Sequence, residues 1–410
     1  MKSRLSRLHV LVGAVFIVVG CKKGGEEGKA EDKGTAAAGA EIKIGQTMPY
    51  SGPASAYGTI GKVEAAYFTK LNKSGGVNGH PINFLSVDDG YSPPKAVEQV
   101  RKLVEQDQVL FIFQSLGTPS NAAIQPYLNT SKVPQLFVAT GATRWNDPEH
   151  FPWTIGFNPS YELEGQTYGK YIAAHQPSAK VAVLYQNDDF GKDLLKGLKE
   201  GLGDKAKAVV AEATYEVSDA TIDSQIATLK ASGADTFVNV TTPKFGAQAI
   251  RKAYDIGWKP TQYLSNVAAS VGSVLTPAGL EKSVGISTVG YFKDPTDKQW
   301  DDDPAMKEWK AFMKENVPEA SLSDGNNTYG YLAAQTLEQV LKQCGDDLSR
   351  ANVMKQAANL KAFAPGLLLP GIKLDTGPND FALFDQLQLV RFDGTTWVAV
   401  GDAAAGQAAK

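Results

Sequence analysis

The chain has 410 residues, with 41 basic against 44 acidic side chains, a net charge of −3, 43% hydrophobic and 9% aromatic content. This near-neutral balance excludes a nucleic-acid partner, which calls for a basic domain. After the first twenty residues no stretch is long and apolar enough to cross a bilayer, and two cysteines, Cys21 and Cys344, leave no framework for an internal disulfide.

Met1 to Gly20 carries Lys2, Arg4 and Arg7 ahead of the apolar run from Val10 to Val19, which has the charge and length of a secretory signal peptide. The run is short of the about 20 apolar residues that a membrane helix needs. Val18-Val19-Gly20-Cys21 places a small residue directly before a cysteine and resembles the lipobox of bacterial lipoproteins. The resemblance implies that Cys21 takes a diacylglyceryl group and becomes the new N-terminus; the alternative is an ordinary signal peptide with an unrelated cysteine. Acyl chains bury CH₂ groups at about 0.8 kcal/mol each, and two or more chains anchor stably. Residues 21–40 have no large apolar side chain after the cysteine and read as a flexible tether. The expected address is the periplasmic side of the cell envelope, lipid-anchored, with the body in water.

From Glu41 onward about 370 residues exceed what one hydrophobic core serves, so two lobes are expected. Short β-branched runs alternate with amphipathic stretches, the pattern of parallel sheets covered by helices. In the first half the strands are 42–47, 82–87, 110–113 and 135–138, with helices at 61–74, 94–105 and 119–129. In the second half the strands are 180–185, 208–215, 236–240 and 263–264, with helices at 191–202, 222–232 and 245–256. Residues 294–303, with Asp301-Asp302-Asp303, read as a solvated loop before a helix at 304–316, and further helices fall at 328–344 and 349–361. Cys344 lies on the helical apolar pattern as a buried thiol. Residues 381–390 and 396–400 alternate like a hairpin around Asp393-Gly394, and 401–410 should fray.

Phosphate-binding, nucleophile-elbow and metalloprotease motifs are absent, and histidines at 9, 80, 150 and 175 are too scattered for a metal site. The expectation is therefore no catalysis, no metal and no cofactor. Asp88-Asp89-Gly90 ends a strand and starts a turn. Gly117-Thr118-Pro119-Ser120 follows the third strand and reads as a capping hydroxyl before a proline at the first helical position. Such a helix start offers free N–H groups and the positive end of the macrodipole to a carboxylate. Thr140-Gly141-Ala142-Thr143 follows the fourth strand at the same sheet edge, where ligands of doubly wound sheets bind.

The segments Pro49-Tyr50-Ser51-Gly52-Pro53-Ala54 with Tyr57-Gly58, Gly75-Gly76-Val77-Asn78-Gly79, Asp88-Asp89, Val133-Pro134-Gln135-Leu136, residues 139–143, Gln166 with Tyr171-Ile172, and Val181 to Tyr185 leading to Asp189-Phe190-Gly191 resemble the periplasmic substrate-binding proteins of branched-chain amino acid ABC transporters. The resemblance runs from Glu41 to Val400. It implies a type I clamshell of two doubly wound α/β lobes joined by hinge strands and closing on one small ligand. Lobe 1 would be 41–160 plus about 290–368, and lobe 2 would be 161–289 plus about 369–400. It also implies a monomer that captures a hydrophobic amino acid and delivers it to an ABC permease. Carried over to this chain, the ligand carboxylate falls to Thr118 or Ser120, a further pair to Gly141 and Thr143, and aromatic contacts to Tyr57 and to Phe190, where the family usually has tyrosine.

Two departures accompany the resemblance. Tyr91 stands where the family's first disulfide cysteine would be. In the segment 261–267, where the family places an acid against the ligand ammonium, this chain has Asn266 and Val267. A buried ammonium without a counter-charge costs several kcal/mol, so Asp188 or Asp189 must supply it, or the ligand is an aromatic or aliphatic carboxylate or an amide. A ligand sensor without a transport role is a further reading.

Overall fold

The computed structural model describes residues 39–400 and 406–407. The expected signal peptide, Cys21 and all but the last two residues of the expected tether lie outside the described residues. Among those described, no helix is long and apolar enough to cross a membrane.

The two halves of the sequence build two sheets. The first contains β1 (Ile42–Met48), β2 (Ile82–Asp88), β3 (Phe111–Phe113), β4 (Gln135–Val138) and β5 (Thr154–Gly156), all parallel, in the order β2-β1-β3-β4-β5. Alternate side chains of β1 serve different layers. Ile42 and Ile44 enter the core with Phe68 of α1 (Gly58–Lys73) and Leu337 of α11 (Gly325–Cys344). Gly45 faces Leu103 of α2 (Pro93–Glu105), and that same layer holds Ile124 of α3 (Thr118–Thr130). Strands buried on both faces read as continuous apolar runs, which is how β3 and β4 appear in the sequence.

The second sheet runs β12-β11-β10-β9-β8-β6-β7, with β6 (Val181–Gln186), β7 (Val209–Tyr215), β8 (Thr236–Val240), β9 (Thr261–Leu264), β10 (Ser287–Gly290), β11 (Gln386–Phe392) and β12 (Trp397–Ala399). The strands from β6 to β10 are parallel, and β11 and β12 close the edge as an antiparallel hairpin. Val181, Val183 and Val238 face α4 (Tyr161–His175) and α5 (Asp189–Leu202), whereas Ala182, Leu184 and Phe237 face α6 (Asp223–Ala231) and α7 (Pro243–Asp255). Short helical turns α8 (Thr276–Ala278) and α9 (Leu280–Ser283) follow. The chain then returns to the first sheet for α10 (Pro304–Asn316), α11 and α12 (Arg350–Ala357), so it passes between the sheets through 157–160, 291–303 and 358–385.

The elements β5, β10, α4 and the short α8 and α9 were not anticipated from the sequence. Helix α4 is sandwiched rather than amphipathic, and its glycines interlock with those of α5. A Cβ on Gly165 would collide with the Leu194 carbonyl, and one on Gly197 with the Glu162 carbonyl. The hairpin is centred where the sequence placed it, with Phe392 opposite Trp397 and Asp393 Oδ1 accepting from the Thr395 and Thr396 N–H groups at 2.8 and 2.9 Å. Part of the tail expected to fray is paired, since Gly406–Gln407 lies antiparallel to Gln386 and Leu387. Asp301, Asp302 and Asp303 each meet a lysine, and Asp303 also caps α10 by accepting from Met306 N. Cys344 is buried, and burial pushes its thiol up to about 12.

Candidate functional site

The carboxyl ends of both sheets face one cavity of about 320 Å³, walled by residues from the two sides. On the first side the chain leaves β3 through Gly117, whose φ of +101° suits glycine. A Cβ there would also stand 2.6 Å from the ring of Tyr91. Gly117 is the N-cap of α3, Thr118 is the first helical residue, and no side chain caps the turn. This corrects the expectation that the Thr118 hydroxyl caps the helix. It lies instead 2.5 Å from the Thr140 hydroxyl, and both residues line the cavity. The first-turn N–H groups of Thr118 and Ser120 have no acceptor within the helix.

Tyr57 is buried on the cavity wall and donates its hydroxyl to the Val267 carbonyl at 2.9 Å, a bond from one side of the cleft to the other. Burial holds its phenol well above the usual range, so it remains a donor. Phe190, second residue of α5, packs its ring 4.7 Å from that of Tyr161, first residue of α4, and both line the cavity. The glycine interlock of α4 with α5 sets that pair in place. Asn266 follows β9 and completes the polar part of the second wall.

Three proposed site residues do not line the cavity. Ser120 is fully buried and its hydroxyl has no partner. Gly141 lies against the Pro159 carbonyl, and its own carbonyl accepts from Tyr161 N at 2.8 Å, which orients the crossover into α4. Thr143 donates its N–H and hydroxyl to Asp193 Oδ2 at 2.7 and 3.0 Å, so it ties the β4 loop to α5. The suggested counter-charges are also engaged elsewhere. Asp188 accepts from Gly191 N at 3.3 Å as the cap of α5, and Asp189 pairs with Arg144 at 3.0 Å.

Sequence reasoning missed several wall residues. Tyr91, read only as a missing cysteine, is a buried wall residue with φ of +60°. Asp294, Asp297 and Trp300, read only as part of a solvated loop between the lobes, also line the cavity. The acid absent from 261–267 sits on α4: Glu164, fully buried, accepts from Asn266 N at 2.9 Å and from the Tyr168 hydroxyl at 2.8 Å. Burial raises its carboxyl to about 7 against the pull of those hydrogen bonds. No sequence signal marks it, since α4 itself was not anticipated. Among the described residues no Lys, Arg or His lines the cavity.

A closed cleft is also braced at its rim. Asp324, N-cap of α11, accepts from the Ser270 and Ser273 hydroxyls at 2.7 and 3.1 Å.

Comparison with known proteins agrees with this architecture. Leu/Ile/Val-binding protein homolog 1 of Brucella abortus (strain 2308) is 28% identical over 330 residues, covering 78% of this chain and 84% of that protein. A branched-chain amino acid ABC transporter structure from Thermus thermophilus with bound valine superposes with a TM-score of 0.78 at 17% identity, covering 90% of this chain and 97% of the other. An ABC transporter solute binding protein from R. palustris in complex with benzoate superposes with a TM-score of 0.73 at 20% identity, covering 90% and 96%. The family model described as periplasmic binding protein matches residues 41–396. With two α/β lobes meeting at a shared cavity and a family match over most of its length, the chain belongs to the periplasmic binding protein family.

Proposed function

We propose that this chain is a lipid-anchored, monomeric substrate-binding protein of an ABC importer, which captures a branched-chain or other hydrophobic amino acid and delivers it to the permease. Its lobes are 41–160 plus about 290–368 and 161–289 plus about 369–400. The observation that carries the reading is the shared cavity, where an uncapped helix start with Thr118 and Thr140 faces an aromatic wall of Tyr57, Tyr91, Tyr161 and Phe190. Neutral donors at a helix N-terminus suit a carboxylate, and the aromatic wall suits an apolar side chain. The names of the Brucella and Thermus proteins support the amino-acid version. Anchoring rests on Gly20-Cys21 behind the basic, apolar leader, and the reading includes no catalytic step.

The number of aromatic rings on the wall favours one second reading, an aromatic carboxylate, as in the benzoate-bound R. palustris protein. Thermal shift of the mature chain with L-leucine, L-valine, L-phenylalanine and benzoate separates the two. A true ligand at about 100 times its Kd adds about 2.7 kcal/mol. A shift with the amino acids and not with benzoate supports the first reading; the reverse supports the second; no shift with any of them defeats both.

A further inference from the structure

Glu164 stands directly behind Asn266. Both donors of Asn266 turn back to it: the backbone N–H to Oε1 at 2.9 Å, and the side-chain NH₂ to Oε2. The Tyr168 hydroxyl holds the same carboxylate at 2.8 Å. With its NH₂ drawn to the rear, Asn266 has Oδ1 as its side-chain acceptor, and Oδ1 has no protein partner among the described residues. That residue lines the cavity, which also presents Asp294 and Asp297 and no cationic side chain. The titratable groups facing Glu164 are Tyr161, Tyr168 and Tyr291, all kept neutral by burial. An amide next to an acceptor-only carboxylate has one favourable orientation, because its oxygen would be repelled where its NH₂ is held.

The geometry points to Glu164 as a positioning residue that locks the Asn266 amide with its oxygen toward the cavity, so that the second lobe selects a ligand bearing an ammonium or other N–H donor over the same skeleton without one. This rests on the amino-acid reading above and names how that ligand is distinguished. The acid absent from 261–267 acts one layer behind the wall, through the amide. A site built to pair a donor discriminates strongly against an analogue lacking it, since its own buried polar atom is then left unpaired.

The test is isothermal titration of the mature chain at about pH 8.5, above the Glu164 value of about 7 so that its carboxylate only accepts, with L-leucine and with 4-methylpentanoate, which shares the carboxylate and side chain and lacks the ammonium. Wild type should prefer leucine by about tenfold or more. Glu164→Gln, whose amide can present either face to Asn266, should cut that preference to about threefold or less while leaving 4-methylpentanoate affinity within about twofold. Tyr168→Phe, which removes a donor to Glu164 and leaves Asn266 in place, should keep the preference. Equal losses for both ligands in Glu164→Gln, or an unchanged preference, overturn the proposal.

A second measurement needs no ligand. The Asn266 side-chain ¹⁵N resonance, identified by its loss in Asn266→Leu, should move with a midpoint near 7 in wild type as Glu164 titrates and stay flat in Glu164→Gln. A resonance that does not move in wild type overturns the locked amide whether or not leucine binds. A moving resonance without binding of either ligand supports the lock and defeats the amino-acid reading alone.

Discussion

Helices α3 and α5 both start at the carboxyl edge of a sheet, α3 after the third strand of the first sheet and α5 after the first strand of the second, and their first turns are built in opposite ways. Helix α5 starts on Asp188, whose carboxylate accepts from Gly191 N, and continues with Asp189, paired with Arg144. Helix α3 starts on Gly117, with no side-chain cap and no acid in its first turn. Each helix start carries about half a positive charge and unpaired N–H groups. In α5 the protein's own carboxylates answer that charge, so this end is structural. In α3 it is left to whatever enters the cavity, so a ligand carboxylate can complete the helix.

The sharpest way to break this difference is Thr118→Asp, which gives α3 the kind of acid that α5 already has. Affinity for a carboxylate ligand should fall by about a hundredfold or more, about 3 kcal/mol, while the melting temperature holds or rises, because an acid in the first turn suits the dipole. Titration calorimetry and calorimetric melting together check both halves of that outcome.

The buried acids give the next effect. Burial raises Glu164 to about 7 and Asp89 to about 6, and it raises Glu64 as well. A carboxyl whose folded pKa lies above its unfolded value binds a proton more tightly in the native state, so stability falls as pH rises between the two values. For Glu164 the window runs from the ordinary glutamate value of 4.5 to about 7. At about 1.4 kcal/mol per unit the loss is about 3 kcal/mol. Denaturant midpoints across that window should decline with pH in wild type and decline less in Glu164→Gln.

Asp188→Ala tests the structural end. It should cost about 1 kcal/mol in urea unfolding, the usual worth of an N-cap, and change ligand affinity far less than Thr118→Asp does. If binding fell as much as stability, the Asp188 cap would act on the site as well as on the fold. The smallest effect belongs to Thr143→Ala. It removes a bond to the half-buried Asp193 across the cleft without touching the cavity, so affinity should drop by about 1 kcal/mol or less.

Much of the fold was legible because its signals are local. Strands β1 to β4 and β6 to β9 are short β-branched or aromatic runs, and helices α1, α2, α5 and α7 carry apolar residues on one face. Helix α4 was hidden because it is packed on several sides, so that its apolar residues form no single stripe and its glycines read as breaks. The site was legible at Thr118, Tyr57, Phe190 and Asn266, which the structure brings to one cavity. Thr143, Gly141 and Ser120 share the right loops, but side-chain direction sends them to Asp193, to the crossover and into the interior.

By itself the sequence determined the twofold α/β succession, the near-neutral charge balance and the sheet edge that faces the cavity, since each follows from composition or from periods of two and 3.6 residues. Only the tertiary structure decided which side chains meet. Tyr91 reaches the wall through a left-handed turn, and Glu164 reaches Asn266 across 102 residues of sequence. Such pairings are set by how helices and sheets pack, and Glu164 meets Asn266 because the glycine-lined contact with α5 seats α4 beside the end of β9.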